Sequence, residues 1–439
     1  LGELDLTAGW AGASALAVFV IAYALVISEE FHHLRKSKPV ILAAGLIWAI
    51  IGVEYSRHGN QASLDLAIRE YLVEYAELFL FLLVAMTYVN SLSERRVFKV
   101  LRVWLINRGF SFRALFWATG VLSFFLSALI DNLTTVLVMS GVVLAVGGSN
   151  KRFIAICSVN IVVAANAGGA FSPFGDITTL MVWQSGILAF GEFFALFIPS
   201  VVNYLVPAVF MSMAVKNGGS GERVEEVEMR IGAKRIMLLF AVTVCLAVSF
   251  HNFLHIPPFM GMVTGLACLQ LFGFYLRRRE TEIAAHSHHH MAGDVMPYDT
   301  FREIARAEWD TLLFFFGVIM SVGGLTFLGY LGGVSEYLYV QLGPTVANVL
   351  VGVISAVVDN IPMMVAVLHM EPVMGKEQWL LVTLTTGVGG SLLSIGSAAG
   401  VAMMGQARGT YTFFSHLKWA PVIALGYAAS IWVHLLINP

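Results

Sequence analysis

The run AGASALAVFVIAYALVI (11–27) carries no charged residue, and KRIMLLFAVTVCLAVSF (234–250) carries none after its first two positions. Each approaches the ~20 apolar residues that a helix needs to cross a bilayer core. Similar runs recur along the chain. Of 439 residues, 58% are hydrophobic and 12% charged, against ~25% charged in soluble domains. No water-soluble core hides that much apolar surface, so the solvent is a membrane and lipid is the first partner. A formal net charge of −2 argues against nucleic acid. Cys157, Cys245 and Cys268 lie in apolar runs at spacings that fit neither a metal site nor a disulfide framework. No cleavable signal is recognisable, and a start at Leu1 implies that a methionine or targeting segment was removed or lies outside this sequence.

The pattern predicts an all-α polytopic membrane protein. Its spans fall at about 8–27, 39–55, 70–91, 152–186 (broken), 190–215, 234–253, 258–276, 309–332, 378–414 (broken) and 417–437. Two further apolar segments, 111–147 and 345–370, have polar centres and read as hairpins that enter and leave on one side. The basic loops HHLRKSKP (32–39), SERRVFKVLRVWLINR (93–108), SNKR (149–152), 216–235, LRRRE (276–280) and SHLKW (415–419) alternate with loops holding no Lys or Arg. The positive-inside rule then places both termini outside, with the first hairpin entering from inside and the second from outside. Residues 94–108 read as a basic amphipathic helix along the inner interface. The HSHHH cluster (286–290) reads as a metal or pH site or, more simply, as part of a solvated loop.

The second half repeats the first. SALIDNLTTVLVM (127–139) aligns with SAVVDNIPMMVAV (355–367), AGGAFSPFGDITTLM (167–181) with VGGSLLSIGSAAGVA (388–402), and AELFLFLL (76–83) with WDTLLFFF (309–316). Residues 1–218 form one repeat, 219–233 a cytoplasmic linker and 234–439 the other. Each repeat carries an odd number of spans, five, so the halves are inverted in the membrane. An inverted repeat with Gly-interrupted helices points to a secondary transporter with its site at the midplane.

The chemistry concentrates at four breaks. Asp131-Asn132 and Asp359-Asn360 mark the hairpin tips, each after a Ser-Ala pair that includes Ser127 or Ser355. An ionised carboxylate in lipid costs at least ~2.5–3.5 kcal/mol on insertion scales, so these acids need a partner. The simpler role is helix capping, which Asp and Asn both favour. The broken helices are NAGGAFSPFGDITT (166–179), with Ser172, Asp176 and Thr178, and TTGVGGSLLSIGSAAG (385–400), with Ser394 and Ser397 but no acid. Gly and Pro free backbone carbonyls there. Carbonyls, hydroxyls and carboxylates are hard oxygen ligands that suit Na⁺ or Li⁺. Asp131, Asn132, Thr134, Asp176, Thr178, Ser355, Asp359, Asn360, Ser394 and Ser397 are therefore the candidate cation and proton ligands, with Asp131, Asp176 and Asp359 as the Na⁺ carboxylates. Ser127, Ser172, Glu77 and Asp310 are secondary candidates; the last two are equally explained as first-turn acids. His416 and Lys418 are adequately explained as positive-inside anchors. A proton and a cation are alternative ways to neutralise one buried carboxylate, and their competition is sufficient for exchange.

HHLRKSKPVILAAGLIWAIIG (32–52), SALIDNLTTVLVM, GGAFSPFGDITTLMVWQSG (168–186) and SAVVDNIPMMVAVLHM (355–370) together resemble the NhaD-type sodium/proton antiporters of the ion transporter superfamily, over essentially the whole chain. The resemblance implies exchange of Na⁺ or Li⁺ for H⁺ without a cofactor, an elevator-like movement in a homodimer, and a bacterial inner membrane or, as in plant relatives, a plastid one. In the dicarboxylate branch of that superfamily the tips read Ser-Asn-Thr. Acids at both tips here oppose a dianion, which puts sodium-coupled dicarboxylate transport second, beside arsenite efflux. An intramembrane aspartyl protease would need Gly-x-Gly-Asp where residues 173–176 read Pro-Phe-Gly-Asp, and it leaves the repeat unexplained. A channel needs no inverted broken-helix pair.

Overall fold

The computed structural model describes residues 6–32, 34–58, 61–216, 218, 224–286 and 297–438. HSHHH lies outside the described residues apart from the backbone of His286, as do residues 219–223 of the linker. Among the described residues every regular element is helical, and ten helices are long and apolar enough to cross a membrane. The protein is an all-α polytopic membrane protein.

Span boundaries follow the apolar runs with informative differences. The helix expected at 70–91 runs over Gln61–Glu94, so Glu77 lies well inside it rather than in a first turn. Phe112–Ile130, the first arm of the first hairpin, is one of the ten long helices. The segment 378–414 is not among them, because it divides into Lys376–Gly389 and Ala398–Gln406. By length and composition, then, the first arm of a hairpin qualifies as a span, whereas the second broken helix, divided in two, does not.

The chain forms two compact units. The first comprises residues 1–75, 104–224 and 313–439, and the second 76–103 and 225–312. Each draws on both sequence repeats. In the second unit, Ala233–Leu254 packs on Pro258–His286 through glycines: a methyl group on Gly261 would lie 2.5 Å from the Ala247 backbone. Arg95, one of the basic residues of the 93–108 loop, is buried there between Glu94 and Glu280, over the Tyr298 ring.

The first unit holds both hairpins and both broken helices. Phe112–Ile130 and Asn132–Gly147 meet at Asp131 (φ 73°, ψ 157°). Pro344–Val358 and Asn360–Met370 meet at Asp359 (φ 81°, ψ 145°). Positive φ in a non-glycine residue stores ~1–3 kcal/mol of strain, so the matching angles at two aspartates mark one device used twice. The broken helices agree in the same way. Lys151–Gly169 stops and Ile177–Gln184 starts at Asp176 (φ −140°, ψ 140°); Lys376–Gly389 stops and Ala398–Gln406 starts at Ser397 (φ −146°, ψ 149°). In the sequence alignment Asp176 stands opposite Ser397.

Packing between hairpin and break is also duplicated. Between membrane helices, close approach of small residues replaces the hydrophobic effect as the source of association. A methyl group on Gly168 would collide with the Phe124 carbonyl, and one on Gly389 with the Gly352 carbonyl. On Gly175 it would lie 2.9 Å from Ala128 Cα, and on Gly396 2.7 Å from Ala356 Cα. Ser127 Oγ donates to the Ala165 carbonyl (2.7 Å) and Ser355 Oγ to that of Thr386 (3.1 Å). Every one of these pairs is equivalent in the repeat.

Candidate cation site

Asp176 is the centre of the polar chemistry. It is 4% exposed, and it caps the short helix that follows: its Oδ1 accepts from Thr178 N (3.0 Å) and Thr178 Oγ1 (3.1 Å). The tip of each hairpin supplies one amide. Asn132 Nδ2 donates to Asp176 Oδ2 at 3.4 Å, and Asn360 Nδ2 donates to the same oxygen at 3.2 Å. One carboxylate is thus faced by equivalent asparagines from both repeats.

The network continues through Asn166. Its Oδ1 accepts from Asn132 Nδ2 (3.1 Å), while its Nδ2 donates to Ser391 Oγ (2.8 Å) and Ser397 Oγ (2.9 Å). Asn166 lies in Lys151–Gly169, a helix buried along nearly its whole length, and it ties the first broken helix to the second. Ser397 caps its own helix by accepting from Gly400 N (3.3 Å). Ser394 Oγ and Thr386 Oγ1 are buried with no hydrogen-bond partner among the described residues. A buried hydroxyl left unbonded costs ~1–3 kcal/mol, and both stand in the broken-helix segment.

The tip aspartates are used differently. Asp131 accepts from Thr134 N (2.7 Å) and Thr134 Oγ1 (2.9 Å). Asp359 accepts from Asn360 N through Oδ1 (2.8 Å), and its Oδ2 receives Lys36 Nζ (2.8 Å). Both are therefore helix caps, and the capping role expected of Asp at a break is realised at Asp131, Asp359 and Asp176 alike. Among the described residues no three His, Cys, Asp or Glu side chains gather as a metal-binding group. Around the Asp176 carboxylate the direct partners are neutral hydroxyls and amides, with the Asp359 carboxylate one residue beyond Asn360.

The structure thus joins Asn132, Asp176, Thr178, Asn360 and Ser397 in one network. Thr134 serves Asp131, and Ser127 and Ser355 tie their hairpins to the broken helices. Ser172 Oγ accepts from Phe174 N (3.3 Å) within the break. Glu77 and Asp310 belong to the second unit; Asp310 does stand in a first turn. Glu74, one turn before Glu77, meets His369 Nε2 at 2.9 Å. Asn166, Ser391, Thr386 and Lys36 were not among the candidates. For Asn166 the signal was present, an amide inside IVVAANAGG with no other polar neighbour. For Lys36 it was hidden by a sufficient explanation, the positive-inside rule.

His416 also departs from its expected role. It is fully buried. Nε2 lies 2.8 Å from the Ser391 carbonyl, which can only accept, so Nε2 carries the proton and Nδ1 accepts from Tyr411 OH at 2.7 Å. The imidazole braces the break of the second broken helix. Burial pushes it from its ordinary 6.5 down to about 4. The unfolded chain therefore binds a proton that the folded chain refuses, and stability from this residue is full above pH ~6.5 and is lost as pH falls toward 4. In detergent, thermal unfolding followed by tryptophan fluorescence should show a midpoint that drops across this window. A His416→Gln protein should show a shallower drop.

A buried polar network between interrupted helices of a polytopic chain is the architecture of a membrane transporter rather than an enzyme. A family model described as citrate transporter matches residues 10–387. The Na⁺/H⁺ antiporter NhaD of Vibrio cholerae serotype O1 is 58% identical, over 99% of this chain and 94% of that protein. Its namesake from Halomonas elongata is 56% identical over 100% of this chain and 90% of its own length. Sodium/proton antiporter 1 of Arabidopsis thaliana is 31% identical over 100% of this chain and 75% of its own. The chain belongs to the NhaD family of Na⁺/H⁺ antiporters.

Proposed function

We propose that this chain exchanges Na⁺ or Li⁺ for H⁺ by alternating access, with the cation bound at Asp176 between the two hairpin tips. The observation that carries the proposal is the convergence of Asn132 and Asn360 on a single buried carboxylate. Without a cation, the amide N–H groups satisfy Asp176. A half-turn of each amide would present its carbonyl oxygen instead, and with Thr178, Ser394 and Ser397 these oxygens replace the water shell of a small hard cation. A proton on Asp176 is the other way to neutralise the site, so cation and proton bind in turn. Asp131 and Asp359 add negative potential from the tips, and Asp359 is the second carboxylate of the exchange.

Because each hairpin is fastened to its own broken helix, the site moves as a body, which favours an elevator-type movement of a homodimer. Both termini face outward from a bacterial inner membrane, with the 219–233 linker in the cytoplasm and the repeats divided at that linker. The description of the matching family favours a second reading, citrate transport. A trianion beside Asp131, Asp176 and Asp359 meets repulsion, which opposes that reading.

The test is proton flux in everted vesicles loaded with a pH-sensitive dye and challenged in turn with Na⁺, Li⁺, K⁺, citrate, succinate and arsenite. Dequenching with Na⁺ or Li⁺ alone is expected. An Asp359→Asn protein should lose this response, because the change removes a carboxylate of the exchange and leaves the Lys36 ammonium unneutralised beside the tip; the cap on Asn360 N, which Asn can still provide, should keep its size-exclusion profile. Citrate or arsenite movement without a cation response would replace the cation reading.

A further inference from the structure

The two hairpin tips are alike in sequence, in dihedral angle and in packing. Asp131 accepts from Thr134 of its own helix through both carboxylate oxygens. Asp359 spends one on Asn360 N and offers the other to Lys36, 323 residues away in the chain, at 2.8 Å. Lys36 stands just before the helix Ser37–His58. The matching long helix of the second repeat starts at Pro258, after HNFLHIPP, which holds no Lys or Arg.

We infer that Lys36 is a tethered counter-cation that occupies Asp359 when the site holds no transported ion, and that Na⁺ must displace it to bind. The inference rests on the reading of Asp359 as a carboxylate of the exchange.

The geometry suits a replaceable partner better than a permanent strut. The side chains of Lys36 and Asp359 keep 18% and 10% of their surface exposed, so the pair is neither sealed nor free. The ammonium also lies over the Phe314 ring, 4.4 Å from its centroid. That ring face offers a second resting place for a cation, so leaving Asp359 does not strand the charge. Lysine is a compact point charge on a flexible four-carbon stem, able to withdraw while its backbone stays fixed. Asp359 is adjacent to Asn360, which touches Asp176. A cation arriving at Asp176 therefore comes within one residue of the lysine's seat. Two monovalent cations competing for neighbouring oxygens bind at each other's expense, so the lysine sets a threshold of Na⁺ below which the site stays closed to it.

The test measures ²²Na⁺ binding to purified protein and the Na⁺ half-saturation of exchange in parallel. In Lys36→Gln the competitor is gone. Binding should tighten about tenfold and the half-saturating concentration should fall to match, while maximal exchange drops because Asp359 lacks its resting partner. Lys36→Arg keeps the charge and grips a carboxylate with two N–H groups, so it should bind Na⁺ no more tightly than the original. If Lys36 were only a strut, Lys36→Gln would lose thermal stability with Na⁺ affinity unchanged or weakened, and that outcome overturns the inference. Full exchange in Asp359→Asn would instead remove the reading beneath it, so the two failures are distinct. Amine-reactive labelling of unmutated protein, read by mass spectrometry, gives a check independent of folding in the variants. Labelling of Lys36 should rise when choline is replaced by Na⁺, and equal labelling in both salts also overturns the inference.

Discussion

An Asp176→Asn protein is expected to fold, insert and fail to exchange. Asparagine is about as good a helix cap as aspartate, so Oδ1 still accepts from Thr178 N, and the helix Ile177–Gln184 keeps its start. What disappears is the charge of the carboxylate on which Asn132 and Asn360 converge. A desolvated ion without a counter-charge bears an effective penalty of several kcal/mol, and each ~1.4 kcal/mol is a factor of ten in affinity. Na⁺-driven dequenching in everted vesicles should therefore fall by at least about a hundredfold. Protein yield and elution from a sizing column should stay near those of the original. Asp176→Ala should do worse on both measures. It removes the cap and leaves up to four donors aimed at nothing, each worth ~1–3 kcal/mol when buried. Exchange by Asp176→Asn within a few-fold of the original would transfer the central role to one of the tip aspartates.

The skeleton of this arrangement was legible because membrane insertion writes it in composition. Apolar runs set the spans, and the Asp-Asn dipeptides set the tips to the residue, since only a special backbone turn justifies an acid there. The alignment of the two halves even placed Asp176 opposite Ser397, which share a backbone conformation and a capping role. Partners were less legible than positions. Nothing local to Lys36 says that it meets Asp359, and nothing local to His416 says that it braces Ser391. Both were fully explained as inner-surface anchors, and a rule that explains a residue stops the search for another partner. Arg95, buried among carboxylates, was hidden in the same way. The compact units were not legible at all. Contacts gather segments from both repeats, whereas sequence similarity divides the chain at the linker.

The tips also explain how one family description can cover different cargo. Each tip needs a residue that tolerates positive φ and caps the next helix, which Asp131 and Asp359 do; the breaks need only an extended cap, which Asp supplies at 176 and Ser at 397. Choosing Asp at both tips and at the first break adds negative charge without altering the backbone plan. On the proposed reading, selectivity for cations over carboxylate anions would follow from side chains at these three positions.

Gly175→Ala and Gly396→Ala are expected to disable transport equally, although neither glycine donates a ligand. A methyl group on Gly175 would lie 2.6 Å from the Ser127 carbonyl oxygen and 2.7 Å from Gly169 Cα; on Gly396 it would lie 2.5 Å from the Ala356 carbonyl oxygen. These neighbours are backbone, so they yield only if hairpin and break separate. Overpacking of this kind costs ~1–3 kcal/mol, and a displacement of ~1 Å at a site can lower a rate by ~10²-fold. Each variant should show a lower thermal midpoint and exchange reduced by about two orders of magnitude. Gly45→Ala is the control: its methyl group meets nothing within 4 Å, and alanine favours a helix by up to ~1 kcal/mol, so transport should be unchanged. The comparison separates close approach from glycine content, because all three substitutions add the same single carbon. Normal exchange in Gly175→Ala with loss in Gly396→Ala would mean that only the second hairpin must stay fastened to its break. The cation would then be held by one repeat, and the convergence of Asn132 and Asn360 on Asp176 would be a resting contact rather than the binding geometry.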